Sequence, residues 1–378
     1  MTRIVITGIG VVSPLGIGMD TLWINLLKGK TSLQQFNDLE TAGYRNTSAC
    51  RVTNFDAPPI HRGAWMALEA TKQAITQAKL QLPKNTGVFL GSTLGESLAY
   101  EKAAEGADIN PEEYNTFSLA QSIARTYQLN GPIQALSTAC TAGNYAVGAA
   151  LSSLGRGDID VAIAGGTEPF SRIAMVGFTR SRAMATDGCK PFDAHRTGMV
   201  LGEGAAIFIL ERLEDAIKRD VTPLATVFAL GLSCDAYHPT SPHPDGRGLA
   251  QAIINTFQQA NIRADDIDWV NIHGSGTRVS DAAEAMALKN IFKNKMPLLS
   301  GSKGAIGHAL GAASAIELAI CVKGISTQTV PPTPGHTVPD EEIGLDCTTH
   351  PVHKKINWVI NNASAFGGLN ASLLIGPG

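Results

Sequence analysis

Two stretches of this chain are built alike, and that likeness limits the folds open to it. "PIQALSTACTAGNYAVGAALSSLGRG" passes from an apolar run through a tight turn of small residues into a pattern rich in Ala and Gly. "MPLLSGSKGAIGHALGAASAIELAICVKG" has the same form. Each leads to a further apolar run ending in Gly, "IDVAIAGGTEP" and "NWVINNASAFGG". The pattern predicts strand, turn, helix and strand, twice, with helices small enough on their surfaces to pack closely. Elsewhere "VITGIGVVSPLG" and "GVFLGSTLGE" read as buried strands that stop at Gly-rich turns. "RGAWMALEATKQAITQAKL" places Ala64, Ala67, Leu68, Ala74, Ile75 and Ala78 on one helical face. Strands alternating with helices indicate an α/β class. The halves are expected to meet near residues 222–232, dividing the chain into 1–225 and 226–378. No linker or low-complexity segment separates them, so a shared core is expected.

Composition excludes several functions. The net charge of −3 gives no basic field for nucleic acid or an anionic membrane. The longer apolar runs meet Gly or a charge before 18 residues, and the N-terminus lacks the apolar stretch of a signal peptide. No transmembrane helix and a cytoplasmic location are therefore expected. Six cysteines lie scattered without a CxxC pair, which fits reduced thiols better than disulfides or a zinc site. No metal is expected.

One cysteine stands apart. Cys140, in "LSTACTAG", sits at a predicted helix start, where unpaired N–H groups and the helix dipole favour a thiolate. Small neighbours leave room for a substrate and for an oxyanion hole. This setting leaves two roles open, nucleophile or small core residue; core packing is the reading for the other five cysteines. Among nine histidines, His273 in "VNIHGSGTRVSD" and His308 in "GSKGAIGHALGAAS" both occupy Gly-rich turns after strand-like runs. Lys303 stands five residues before the second. "GSKGAIGH" lacks the spacing of a phosphate loop.

Taken in order, "IVITGIGVVSPLG", "STAC", "AGGTE", "KPFDAHRTGMVLGEGAA", "SCDAYHPTSPHPDG", "NIHGSGT", "SKGAIGHALGAAS" and "FGG" resemble the β-ketoacyl-acyl carrier protein synthases of the decarboxylating, synthase II type. The resemblance covers nearly the whole chain. It implies a thiolase-like fold, with two similar halves forming a five-layered αβαβα core. It implies Cys140 as nucleophile, His273 and His308 as catalytic histidines, and Lys303 and Glu317 orienting and tuning His308. Ser275 and Thr277 match positions that contact the pantetheine arm. Phe366 matches a gating aromatic whose N–H, with that of Cys140, forms the oxyanion hole. The implied activity is condensation of an acyl thioester with malonyl carrier protein. No cofactor is bound; substrates arrive on the phosphopantetheine of acyl carrier protein. A homodimer is expected, with a heterodimer alongside a related subunit, or a non-catalytic chain-length-factor role, as alternatives.

The chain departs from the family pattern near its end. "NASAFGGLN" stands where NSFGFGGTN is usual, so Ser364 replaces an aromatic, Ala365 a glycine and Leu369 a threonine. A wider cavity and an altered gate are expected. Arg278 occupies a position where proline is common, and Met199 replaces phenylalanine. Arg62 is the chief cation of its segment, and Arg180, Arg182, Lys190 and Arg196 are candidates for a carrier-facing patch. Together these departures favour a specialised polyketide, polyene or related pathway over housekeeping fatty-acid synthesis.

Overall fold

The structure is a computed structural model that describes residues 2–41, 46–293 and 295–378. Its first five principal strands are β1 (Ile4–Ser13), β2 (Gly87–Gly91), β3 (Ile133–Leu136), β4 (Val161–Glu168) and β5 (Gly204–Arg212). The next five are β6 (Ala225–Cys234), β7 (Trp269–Asn271), β8 (Leu298–Ser300), β9 (Val359–Ser364) and β10 (Leu369–Gly376). The helices between them are α1 (Arg62–Ala78), α2 (Thr116–Thr126) and α3 (Ala142–Arg156), then α4 (Arg247–Ala260), α5 (Arg278–Ile291) and α6 (Ala313–Thr327).

The strands lie on one path, β8-β7-β9-β10-β6-β1-β5-β4-β2-β3. Outward from the centre, the orders 1-5-4-2-3 and 6-10-9-7-8 are the same arrangement used twice. Strand directions agree too. β2 is parallel to β3 and β4, and β5 runs antiparallel to β4 and β1. β7 is parallel to β8 and β9, and β10 runs antiparallel to β9 and β6. The sets join where Ile4–Ile6 pair with Ala225–Val227. Beyond that point they diverge. The freed N–H groups of Ile9 and Val11 are taken up by the side-chain oxygens of Gln77 and Gln73, as buried backbone donors require.

Helices α3 and α6 fill the space between the two sets of strands, while α1 with α2, and α4 with α5, cover the outer faces. The result is the five-layered αβαβα core of the thiolase fold. Gly143 explains how closely the central helices approach: a Cβ there would lie 2.7 Å from the backbone nitrogen of Ala315. Asn144 and Asn361 hold the seam by mutual hydrogen bonds, and Ser314 joins both. The stretch Leu310–Thr327 is long and apolar enough to cross a membrane, but 83% of it is buried within the protein, as a core helix.

The expected face of α1 is rotated. Ala67, Ala74 and Ala78 are buried as expected, but Ala64, Leu68 and Ile75 are half-buried, and Met66, Ala70 and Thr71 take their places. The cause is contact with β1, where Gly8 and Gly10 lie directly under the carbonyls of Ala74 and Ala70. Small residues decide the face there, not the largest apolar ones. Cys234 also departs from expectation. It is exposed at the end of β6, with its Sγ 3.7 Å from the Gly367 carbonyl oxygen, while the other cysteines are buried.

Candidate active site

Cys140 sits in a single tight turn, Ala139–Thr141, between β3 and α3. Ala139 is held at φ 48°, a left-handed conformation costly for a residue with a Cβ. That bend lifts the next residue off the strand line. The second half repeats the device. Leu310, at φ 42°, opens the turn Leu310–Ala312 that leads into α6, placing Gly311 where the first half has Cys140. His308 lies just before that turn, so equivalent turns present the cysteine and a histidine to each other.

Cys140, His273 and His308 open into one cavity of about 70 Å³. The imidazoles meet edge to face with centroids 5.4 Å apart. Leu310 N–H donates to His308 Nδ1 over 3.2 Å, so the proton of the neutral ring is on Nε2. The His273 backbone is clamped at both ends: its N–H donates to Glu284 Oε1 at 2.7 Å, and its carbonyl accepts from Lys303 Nζ at 2.5 Å. Its ring is left free, with a buried Nδ1 that has no partner among the described residues. Burial, helped by the Lys303 charge, holds both imidazoles well below the ordinary histidine pKa. They are neutral donors at neutral pH.

Lys303 makes its direct contacts away from His308. Its ammonium is buried and bonds to Glu317 Oε1 at 2.5 Å and to the carbonyl of His273. The pair thus fastens the His273 turn; on His308 it acts through charge. Glu317 is itself raised by burial, an effect its lysine partner opposes. The expected low pKa of Cys140 is likewise not found. Burial pushes the thiol up to about 12, and the Lys303 charge offsets this only in part. Desolvation outweighs the lysine charge in the closed cavity.

The other expected residues gather at the same cavity. Ser275 and Thr277 line it, with their hydroxyls 3.0 Å apart. Phe366 closes the mouth against Phe178, with ring centroids 5.4 Å apart. Ser364, which stands in place of the aromatic, heads a chain of hydrogen bonds. Its hydroxyl donates to Asn370 Oδ1, whose amide donates to Asp235. Asp235 in turn accepts the His243 N–H, and Gly367 N–H donates to the Pro239 carbonyl. The loop that carries Phe366 is therefore tied to the 235–243 segment at Asp235 and Pro239. The expected cationic patch also needs correction. Arg196 is buried between Asp340 and Asp281, Lys190 is paired with Asp187, and Arg62 with Glu203. These cations build the fold; Arg180 and Arg182 remain exposed.

Phe178, Asp235 and Asn370 were not singled out by the sequence, nor was Glu168. Buried Glu168 accepts the N–H groups of Thr93, Leu94 and Gly311, tying the segment after β2 to the turn Leu310–Ala312. "AGGTE" and "SCDAY" were the available signals for Glu168 and Asp235, but neither spacing reveals a partner more than 70 residues away.

Comparisons with known proteins agree with this geometry. Residues 1–216 match the N-terminal domain of β-ketoacyl synthase and residues 224–337 its C-terminal domain. The chain is 34% identical to 3-oxoacyl-(acyl-carrier-protein) synthase 2 of Staphylococcus aureus (strain COL), over 98% of this chain and 97% of that protein. It is equally similar to the Coxiella burnetii protein of the same name, over 99% and 98%. Among solved structures, an ishigamide ketosynthase/chain length factor superposes with a TM-score of 0.94 at 33% identity, covering 100% of this chain and 99% of that one. A β-ketoacyl synthase from Burkholderia phymatum STM815 gives 0.92 at 28%, covering both chains fully. The chain belongs to the β-ketoacyl synthase family of acyltransferase-type condensing enzymes.

Proposed function

We propose that the chain condenses an acyl thioester with malonyl-acyl carrier protein, with Cys140 carrying the acyl group between two steps. The observation that carries this reading is the single cavity shared by Cys140 and two neutral imidazoles. In the first step the sulfur attacks the thioester carbonyl, whose oxygen is held by the N–H groups of Cys140 and Phe366. The pantetheine thiolate leaves and takes up the proton that the buried thiol gives up. Malonyl thioester then binds with its carbonyl oxygen at His273 and His308. As the carboxylate departs as carbon dioxide, its bonding pair becomes an enolate, which their N–H groups stabilise. The enolate carbon attacks the acyl carbonyl, and Cys140 leaves as thiolate. Because decarboxylation generates the carbanion, no strong base is needed. Ser275 and Thr277 hold the pantetheine arm. Lys303 and Glu317 are positioning residues behind His273.

The division of labour follows the repeat: residues 1–225 supply the nucleophile and residues 226–378 both histidines. The reading needs no bound cofactor; the substrates ride on phosphopantetheine. Six unpaired cysteines suit a reducing cytoplasm. For assembly, β3 ends the sheet with an unpaired edge, beside a groove lined by Leu136, Tyr145, Phe228 and Leu232. An open edge beside apolar side chains calls for a partner strand, and a dimer is our reading. The altered gate sequence and the likeness to a ketosynthase/chain length factor favour a specialised polyketide or polyene pathway. They also keep a heterodimer in view. Intact mass of the protein after incubation with acyl carrier thioesters tests the first step. A gain of one acyl group on the parent and none on Cys140→Ala is expected. No gain with any donor, even with candidate partner subunits present, would point to a non-catalytic subunit.

A further inference from the structure

A second cavity, of about 250 Å³, lies directly outside the first. The two share Ala183, Thr240, Thr277, Val279 and Phe366, so the second cavity adjoins the Cys140 site at Phe366. Its remaining polar lining is Ser181, Thr197 and Ser241 with two exposed arginines, Arg182 and Arg278. No carboxylate lines it. The neighbouring cations Lys190 and Arg196 are held by Asp187 and Asp340. By contrast, Arg182 and Arg278 form no ion pair among the described residues. Two uncompensated guanidiniums and several hydroxyls around one opening suit a phosphate ester, which a guanidinium binds in a fork.

We propose that Arg278, with Arg182, grips the phosphate of the pantetheine arm at this mouth, making Arg278 a recognition residue. The inference rests on the condensing reading above and specifies how its substrates are held. The phosphate occurs as a diester on a carrier protein or as part of the diphosphate of coenzyme A. The lack of further cations around the cavity favours the single phosphate of a carrier.

Calorimetric titration of the protein with pantetheine, 4′-phosphopantetheine and coenzyme A tests this. The parent should prefer 4′-phosphopantetheine over pantetheine, and Arg278→Gln should lower that preference about fivefold, the upper range for an exposed charge pair. Arg278→Pro is a second variant and should behave alike. Proline fits the first position of α5, and Thr277, at φ −87° and ψ 139°, already has the conformation that precedes proline. Equal binding of pantetheine and 4′-phosphopantetheine by the parent, or a preference unchanged in both variants, would overturn the proposal. A preference shown by coenzyme A alone would assign the cations to a diphosphate and overturn the carrier reading. Binding is read without acyl transfer. A parent that is acylated yet shows no preference thus defeats the phosphate grip alone, and a parent that shows the preference yet is not acylated defeats the condensing reading alone.

Discussion

At Cys140 two effects oppose one another. The helix start and Lys303 favour a thiolate, while burial favours the thiol, and burial wins with a pKa of about 12. The thiolate fraction should then rise about tenfold per pH unit across the neutral range. Alkylation of Cys140 by iodoacetamide, followed by peptide mass, should show that slope from pH 6 to 9. A plateau below pH 8 would mean that the helix terminus prevails. The histidines give the opposite kind of pH effect. Their folded pKa values lie below the ordinary 6.5, so the unfolded chain binds more protons as pH falls past that value. Their contribution is fully present above about pH 6.5 and is lost below it. Removing one such group with His308→Asn should flatten the fall in stability between pH 6.5 and 5 by up to about 1.4 kcal/mol per unit. Denaturant midpoints measured across that range would show it, and an unchanged slope would count against a depressed His308.

Among the elements, α3 and α6 decide how near the two catalytic turns come. Their approach depends on residues without side-chain bulk at the crossing and not elsewhere on the same helix. Gly143→Ala puts a methyl 2.7 Å from backbone and should destabilise by about 1–3 kcal/mol. Gly155→Ala, exposed on α3 with no atom within 4 Å of the new carbon, should stabilise by up to about 1 kcal/mol. Thermal unfolding of the two variants should move in opposite directions. The repeat of strand, small-residue turn and helix was plain in the sequence because it rests on local spacing. The face of α1 was not, because it is set by glycines of β1 more than fifty residues earlier. Ser364 illustrates the same limit. Its loss of an aromatic was visible, but its bond to Asn370 forms only when β9 and β10 pair, and the link on to Asp235 only when β10 also pairs with β6.

Across the whole molecule, the repeat brings together what neither half holds alone: one turn presents Cys140 and its counterpart His308, with a third turn presenting His273. The ordered motifs made the fold and the membership of the site legible, since each motif is a local turn. The roles within the site were less so. Lys303 was placed beside His308 by sequence, yet its ammonium reaches the His273 carbonyl, a contact between the segments that follow β7 and β8 that no spacing encodes. Arg196 looked like a surface cation and is buried between two aspartates for the same reason. The account requires that the halves act in sequence on one acyl group. A single-turnover experiment tests this most directly: acylated protein is mixed with malonyl-acyl carrier protein, and protein mass, carrier mass and carbon dioxide are followed together. The acyl group should leave Cys140 and appear as a β-ketoacyl carrier, with one carbon dioxide for each group transferred. Carbon dioxide released while the acyl group stays on Cys140, or an acyl group lost to water without a condensed product, would contradict it.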